Sequence, residues 1–200
     1  MFGKLSKKNA PLDAEPESIF IVAQLNARLQ PKHRAELFED PLDDALQKLG
    51  IGTITGGGTS QNEDGEVAYC DIDIQITSAN EHAVQSVIGL LEGLGAPRGS
   101  TLRMREGERA LPFGTTEGMA IYLNGTDLPD EVYQQYDSGV VYSEIERLLD
   151  ECGEIYSYWQ GPTETDLYLY GNSFKEMHEK VSGFLATYPL CQKSRIAQIA

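Results

Sequence analysis

The sequence lacks the features that would place it in a membrane or in an oxidising compartment. No apolar run approaches the roughly 18 residues that a transmembrane helix requires, so no membrane span is predicted. Residues 1–8 carry charge without an apolar stretch behind them, which is not the pattern of a secretory signal. Cys70, Cys152 and Cys191 are an odd number and cannot all pair as disulfides. We therefore expect a reduced, cytoplasmic protein.

Signatures of catalysis and of metal binding are also missing. The three histidines do not stand in metal-ligand spacing with one another or with the cysteines. The glycine-rich stretch 56–59 has no lysine after it and lies between predicted strands, whereas a phosphate-binding loop needs a lysine and a helix N-terminus. Its glycines favour a β-bulge or a hairpin tip instead. The sequence predicts no metal site and no cofactor, and we expect a protein that is not an enzyme.

Basic residues are scarce relative to acidic ones. Sixteen Lys and Arg against 31 Asp and Glu give a net charge of −15 at pH 7. A field of this sign repels a nucleic-acid backbone, so nucleic acid is not an expected partner. The same field attracts a basic protein and speeds its encounter with the chain. Solubility alone is the alternative explanation for the charge.

The second half of the chain repeats the plan of the first. The strand and helix around Asp71 recur around Asp166, and Ser78 then matches Ser173. A copy of this length is a duplicated domain, because solenoid repeats span only roughly 20 to 50 residues. Two hundred residues accommodate two small domains of about 90 residues each.

Each copy reads β-α-β-β-α-β, which is the ferredoxin-like plan. The predicted fold class is α+β, with two tandem ferredoxin-like units whose four-stranded antiparallel sheets each carry helices on one face. We place a disordered basic tail at 1–15, the first unit at 16–105, a linker at 106–117 and the second unit at 118–200. The sequence does not decide whether the two sheets fuse or pack against each other.

Charged side chains are expected on the uncovered face of the first sheet. Alternation turns Asp71 and Asp73 outward, because the isoleucines between them must face the helices. Arg28 on the first strand and Arg103 and Arg105 on the last strand share that face. These five residues form either exposed cross-strand ion pairs or a polar binding platform.

Tyrosines are expected on the corresponding face of the second sheet. Tyr168 and Tyr170 turn outward, and Tyr156 and Tyr158 join them unless the neighbouring strand alternates in the opposite sense. Tyrosine combines an apolar ring with a polar tip and is favoured in interfaces. The tyrosine face therefore indicates contact with the other copy or with a second chain in a homodimer, a surface for a separate protein, or a small-molecule site.

The first copy also carries a family resemblance. Gly-Gly-Gly-Thr at 56–59, Asp-Gly-Glu at 64–66 and Tyr-Cys-Asp-Ile-Asp-Ile at 69–74 resemble sequences of uncharacterised, acidic bacterial proteins of the toxin-immunity type. The resemblance covers mainly residues 40–95. It implies a small cytoplasmic inhibitor of a toxin, and it assigns a catalytic role to no residue of this chain.

Three functions from different classes remain open at this point. The first is a non-enzymatic, acidic protein-binding module, such as an immunity or inhibitor protein against a basic effector. The second is a regulatory domain that senses a small molecule held between the two repeats. The third is an enzyme in which Asp71 and Asp73 act as an acid–base pair.

Overall fold

A computed structural model describes residues 19–78, 80–104 and 110–200 of the chain. The predicted tail at 1–15 and Arg105 lie outside the described residues. The structure contains two antiparallel sheets with helices packed on them, which confirms the predicted α+β class and the two tandem ferredoxin-like units. Among the described helices, none has the length and the apolar character needed to cross a membrane.

The sheet of the first unit has the ferredoxin-like strand order, which is β2 (Gly52–Gln61), β3 (Val67–Ile76), β1 (Ile19–Leu25) and β4 (Ser100–Arg103), and a fifth strand extends it next to β4. This fifth strand lies within the stretch 106–117, for which the sequence predicts a linker. The elements are β1 (Ile19–Leu25), α1 (Pro31–Arg34), α2 (Asp40–Leu49), β2 (Gly52–Gln61), β3 (Val67–Ile76), α3 (Glu81–Gly93), β4 (Ser100–Arg103) and β5 (Leu111–Phe113).

The helical region after β1 is longer than the sequence pattern indicates. Pro31 occupies the first helical turn, where its fixed φ is favourable and its missing N–H costs nothing. A π-helical turn, Ala35–Glu39, then joins α1 to α2, and Gly50 ends α2 with a φ of +68°. The sequence predicts that this helix starts at Pro41 and that Pro31 ends the preceding strand. Proline is compatible with a strand end as well as with a first helical turn, so the sequence pattern does not reveal the earlier start.

Strand β2 runs through the glycine stretch instead of ending before it. A register shift between Ile54 and Gly56 is the bulge that the glycines predict. Beyond the bulge, Gly57 pairs with Ile72, and any side chain on Gly57 would meet the backbone oxygen of Asp71 at 2.8 Å. The glycines therefore serve a tightly packed strand, and only the residues between Gln61 and Val67 form the hairpin turn.

The second unit has the matching strand order β7-β8-β6-β9. Its last helix begins at Ser173, whose hydroxyl accepts a hydrogen bond from the backbone N–H of Glu176 at 3.4 Å. The elements are β6 (Glu117–Asn124), α4 (Asp130–Gln135), α5 (Ser138–Leu149), β7 (Gly153–Gln160), β8 (Glu164–Gly171), α6 (Phe174–Thr187) and β9 (Arg195–Gln198).

The apolar core is divided unequally between the two units. The second unit has its own core between its helices and the inner face of its sheet, which includes Leu167 and Leu169. The core of the first unit continues beyond that unit and takes in Tyr168 and Tyr170 from the outer face of the second sheet. The two units therefore share buried surface and do not behave as separate beads.

Candidate functional site

The outer face of the first sheet is not covered by another described element, and we call it the open face. Phe20 and Arg103 are exposed there, and the residues between them on this face, including Asp71 and Asp73, are half-buried. In the strand register, Val22 lies between Asp73 on β3 and Arg103 on β4, and Gln24 lies between Asp71 and its partner on β4. The alternation read from the sequence is therefore confirmed for these strands: the isoleucines of β3 are buried, and the carboxylates between them are accessible.

The two carboxylates of the open face differ in their contacts. Asp71 accepts a hydrogen bond from Gln24 Nε2 at 3.1 Å and lies 3.7 Å from the guanidinium of Arg103. The side chain of Asp73 makes no hydrogen bond and no ion pair with the described residues, and only its backbone oxygen accepts a hydrogen bond from a side chain, that of Thr55 at 3.3 Å. An accessible ion pair of this length contributes little to stability. The face therefore keeps one weakly paired carboxylate and one that is available to a partner.

Apolar and side-chain-free surface surrounds these carboxylates. Phe20 on β1 is 58% exposed, and Tyr69 on β3 is also exposed, so two aromatic rings are accessible on this face. On the other side, Gly56 and Gly58 lie opposite Asp73 and Asp71 in the register. Because the glycines have no side chains, the carboxylates can be approached across β2. The open face offers a flat surface with an acidic centre and an aromatic margin.

Arg28 does not belong to this face, although the sequence predicts it there. It follows the end of β1 and turns to the second unit, where its guanidinium pairs with Glu66 and donates to the Tyr122 hydroxyl at 3.1 Å. The same group lies 5.3 Å from the centre of the Tyr168 ring. The alternation that predicts Arg28 on the open face assumes that β1 continues to residue 28. The strand ends at Leu25, so the alternation no longer applies at Arg28.

The outer face of the second sheet is closed by the first unit. Tyr168 and Tyr170 are fully buried there, and the Tyr170 hydroxyl accepts a hydrogen bond from the backbone N–H of Arg28 at 2.9 Å. Tyr156 packs edge-on against Phe38, with the ring centres 6.1 Å apart. Of the uses that the sequence leaves open for the tyrosines, contact with the other copy is the one observed.

A β-bulge separates the two tyrosines of β7. The register shifts between Ile155 and Ser157, so that Tyr156 turns to the first unit while Tyr158 turns to the opposite side of the sheet. Tyr158 is 45% exposed, and because β7 is the edge strand, its ring still reaches His33 of the first unit, edge-on with the ring centres 5.9 Å apart. Strict alternation along β7 would place Tyr156 and Tyr158 on the same side of the sheet, whichever side that is. The bulge between Ile155 and Ser157 places them on different sides.

A polar cluster lies where the two units meet, and we call it the junction cluster. The Tyr168 hydroxyl contacts Glu66 Oε1 at 2.7 Å and Asp166 Oδ2 at 3.1 Å. Burial, followed by the nearby charge of Glu164, raises the pKa of the Asp166 carboxyl to about 7. Burial and the hydrogen bond to Glu66 raise the pKa of Tyr168. The sequence places Asp166 on this face but gives no sign that it is buried.

Covalent and metal chemistry have little support among the described residues. No group of three or more His, Cys, Asp and Glu side chains there could hold a metal ion. Burial raises the pKa of the Cys70 thiol to about 12, so that this thiol is protonated and a poor nucleophile at neutral pH.

Comparison with known proteins finds only remote structural likeness. No protein-family model matches the chain, and no curated protein matches it. Among solved structures, the first two RRM domains of a yeast poly(U)-binding protein are 8% identical, with 90% of this chain and 99% of that chain covered and a TM-score of 0.25. The regulatory subunit of aspartate kinase from Thermus flavus is 12% identical, with 83% and 92% covered and a TM-score of 0.27. At these values neither protein's function transfers to this chain.

Proposed function

We propose that this protein is a non-enzymatic binding module that recognises a basic protein through the open face, as an immunity-type inhibitor of a basic effector would. One observation carries the proposal: of two equivalent sheet faces, the second is closed by the protein itself and the first is not covered by another described element. The closed face supports the proposal, because it is a sheet face of the same kind that buries its tyrosines against another folded unit.

The chemistry of the open face supports a basic partner. Its centre holds Asp71 and Asp73, and its margin holds exposed Phe20. Among the described residues of the face, the two aspartates outnumber the one arginine, Arg103, so the face keeps a net negative charge beside its apolar ring. Apolar anchors beside a net charge combine burial with electrostatic selection of the partner. The net charge of −15 adds a long-range attraction for a cationic protein and speeds association at low salt.

The two alternative functions receive less support. A ligand between the repeats would occupy space that Phe38, Tyr156 and Tyr170 fill with packed rings. For an enzyme that uses the aspartates, one of the pair is already engaged by Gln24 and Arg103. The binding module uses both surfaces as they stand.

The experiment compares partner capture by wild type and by a variant that changes only the open face. Phe20→Ala combined with Asp71→Asn and Asp73→Asn removes the exposed ring and both charges. Partners are recovered from the native host at low salt and identified, and the affinity of each is then measured by calorimetry at several salt concentrations. We expect a basic partner whose affinity falls at least about tenfold in the variant and falls further as salt increases.

A charge-matched control distinguishes the loss of open-face contacts from the loss of net negative charge. Asp130→Asn with Glu131→Gln removes two exposed negative charges from α4 of the second unit. Binding through the open face is expected to survive this control. The proposal is wrong if no basic partner is recovered, or if the recovered partner binds the open-face variant and the control equally well.

A further inference from the structure

The junction cluster contains more hydrogen-bond acceptors than its central hydroxyl can satisfy. Tyr168 lies between Glu66, which comes from the β2–β3 turn of the first unit, and Asp166, its neighbour on β8. A phenol carries one proton and can donate it to one acceptor. If Tyr168 donates to the closer carboxylate, Glu66, then its contact with Asp166 needs a proton that only Asp166 can supply.

The surroundings of Asp166 favour a carboxyl that holds that proton. The residue is 1% exposed, and its Oδ1 atom has no hydrogen-bond partner in the described part of the chain. A buried, ionised carboxylate with an unsatisfied oxygen is costly, whereas a neutral acid loses much less by burial. Glu66 differs, because it pairs with Arg28 and accepts from Asn62 Nδ2 at 3.0 Å, contacts that suit an ionised carboxylate.

Nearby positive charges compensate Asp166 only in part: burial, followed by the charge of Glu164, raises the pKa of its carboxyl more than the charge of Arg195 lowers it. Each arginine of the region is committed to another carboxylate: Arg28 pairs with Glu66, and Arg195 pairs with Glu164 at 3.0 Å. Arg195 also lies over the ring of Tyr122, which is the register partner of Asp166 on β6. The titratable and charged groups that face Asp166 from all packed elements are Glu66, Arg28, Tyr122, Glu164, Tyr168 and Arg195.

We propose that protonation of Asp166 controls the contact between the two units. In the protonated state, Asp166 donates to the Tyr168 oxygen and Tyr168 donates to Glu66, which gives a continuous chain from the second unit to the first. When the proton leaves to water, two carboxylates compete for the single proton of Tyr168 and repel each other across it. The contact between the units then weakens. This inference does not depend on the proposed binding function.

The direction of the pH effect follows from the raised pKa of Asp166. The folded protein keeps this proton up to about pH 7, whereas the unfolded chain loses it near the ordinary carboxyl value of 3.8. The stabilisation is complete below the unfolded pKa, declines as pH rises and is lost above the folded pKa. Between the two pKa values, each pH unit costs about tenfold in the folding equilibrium.

The single tryptophan of the chain is placed to report this titration. Trp159 is the register partner of Asp166 across β7 and β8. We expect its fluorescence in the wild type to change with a midpoint near pH 7, and the change to be absent in Asp166→Asn, whose amide can still donate to Tyr168. Over the range from about pH 5 to pH 7, urea unfolding should show wild type losing stability relative to Asp166→Asn by about tenfold per pH unit.

Two further measurements make the outcome decisive. Asp73→Asn on the open face removes a carboxylate that does not contact Trp159 and should leave the fluorescence step unchanged. Infrared difference spectra of the wild type between about pH 6 and pH 8 should show the loss of one neutral carboxyl band, and this needs no variant to fold. A step that persists in Asp166→Asn, or spectra without a neutral carboxyl at pH 6, overturns the proposal.

Discussion

The hydroxyl of Tyr170 accepts a hydrogen bond from the backbone N–H of Arg28 at 2.9 Å. The hydroxyl of Ser157 donates to the backbone oxygen of the same residue. Because β1 ends at Leu25, Arg28 has no neighbouring strand to satisfy these groups. Side chains of the second sheet therefore complete the backbone hydrogen bonding of the first unit, which ties the two units together at a defined register.

Replacing Tyr170 by Phe should destabilise the protein by about 1–3 kcal/mol. The ring is retained and the packing is preserved, but the buried N–H of Arg28 loses its acceptor. The free energy of unfolding measured in urea reports the loss. Tyr158→Phe is the matched control, because Tyr158 is 45% exposed and its hydroxyl makes no hydrogen bond to the described residues. Equal effects of the two substitutions would contradict this role for the Tyr170 hydroxyl.

The side on which β3 and β8 place their residues was predictable, but what covers that side was not. Alternation correctly separates Leu167 and Leu169 from Tyr168 and Tyr170, because one set must contact helices of its own unit. Whether another unit then covers the outer set depends on how two domains dock. Docking is decided by surface fit between residues far apart in the chain, and no local pattern records it.

The sequence repeat likewise predicts where a residue lies in its unit, but it does not predict whether that residue is buried. Asp71 and Asp166 occupy equivalent places in the two copies, each on the outer face of the third strand of its unit. Asp71 stays accessible beside Gln24, whereas Asp166 is covered by the first unit, and this burial raises the pKa of the Asp166 carboxyl. The bulge at β7 and the junction cluster were missed for the same reason, since both exist only where the units meet.

The glycine stretch of β2 offers a second prediction with a control in the next position. Gly57→Ala should destabilise the protein by about 1–3 kcal/mol. The new methyl group would lie 2.8 Å from the backbone oxygen of Asp71 and 3.0 Å from Arg34 Nε, a guanidinium fixed by its own ion pair with Glu39. Neither neighbour can move without breaking a contact.

The adjacent glycine tests whether the effect comes from contact or from the loss of glycine itself. A methyl group on Gly58 meets no atom within 4 Å, so Gly58→Ala should change stability little. Urea unfolding of both variants against wild type gives the comparison. If Gly58→Ala costs as much as Gly57→Ala, then the close packing of Gly57 is not what β2 requires.

The carboxylate of Asp43 leads to a prediction for acidic solution. Asp43 on α2 accepts hydrogen bonds from the backbone N–H of Ile54 at 2.7 Å and from the Thr53 hydroxyl at 2.8 Å, and so connects the helix to the outer edge of β2. The bond from Ile54, followed by that from Thr53, holds the pKa of this carboxyl below its ordinary value of 3.8.

A depressed pKa contributes stability above the unfolded value and loses it as pH falls through the folded value. Asp43→Asn should therefore lower the urea midpoint at neutral pH, and the difference from wild type should shrink as pH falls below about 4. Asp44→Asn, an exposed neighbour outside these hydrogen bonds, should leave the midpoint close to that of wild type at every pH. A difference between wild type and Asp43→Asn that stays constant down to about pH 2 would mean that the charge of Asp43 does not support the edge of β2.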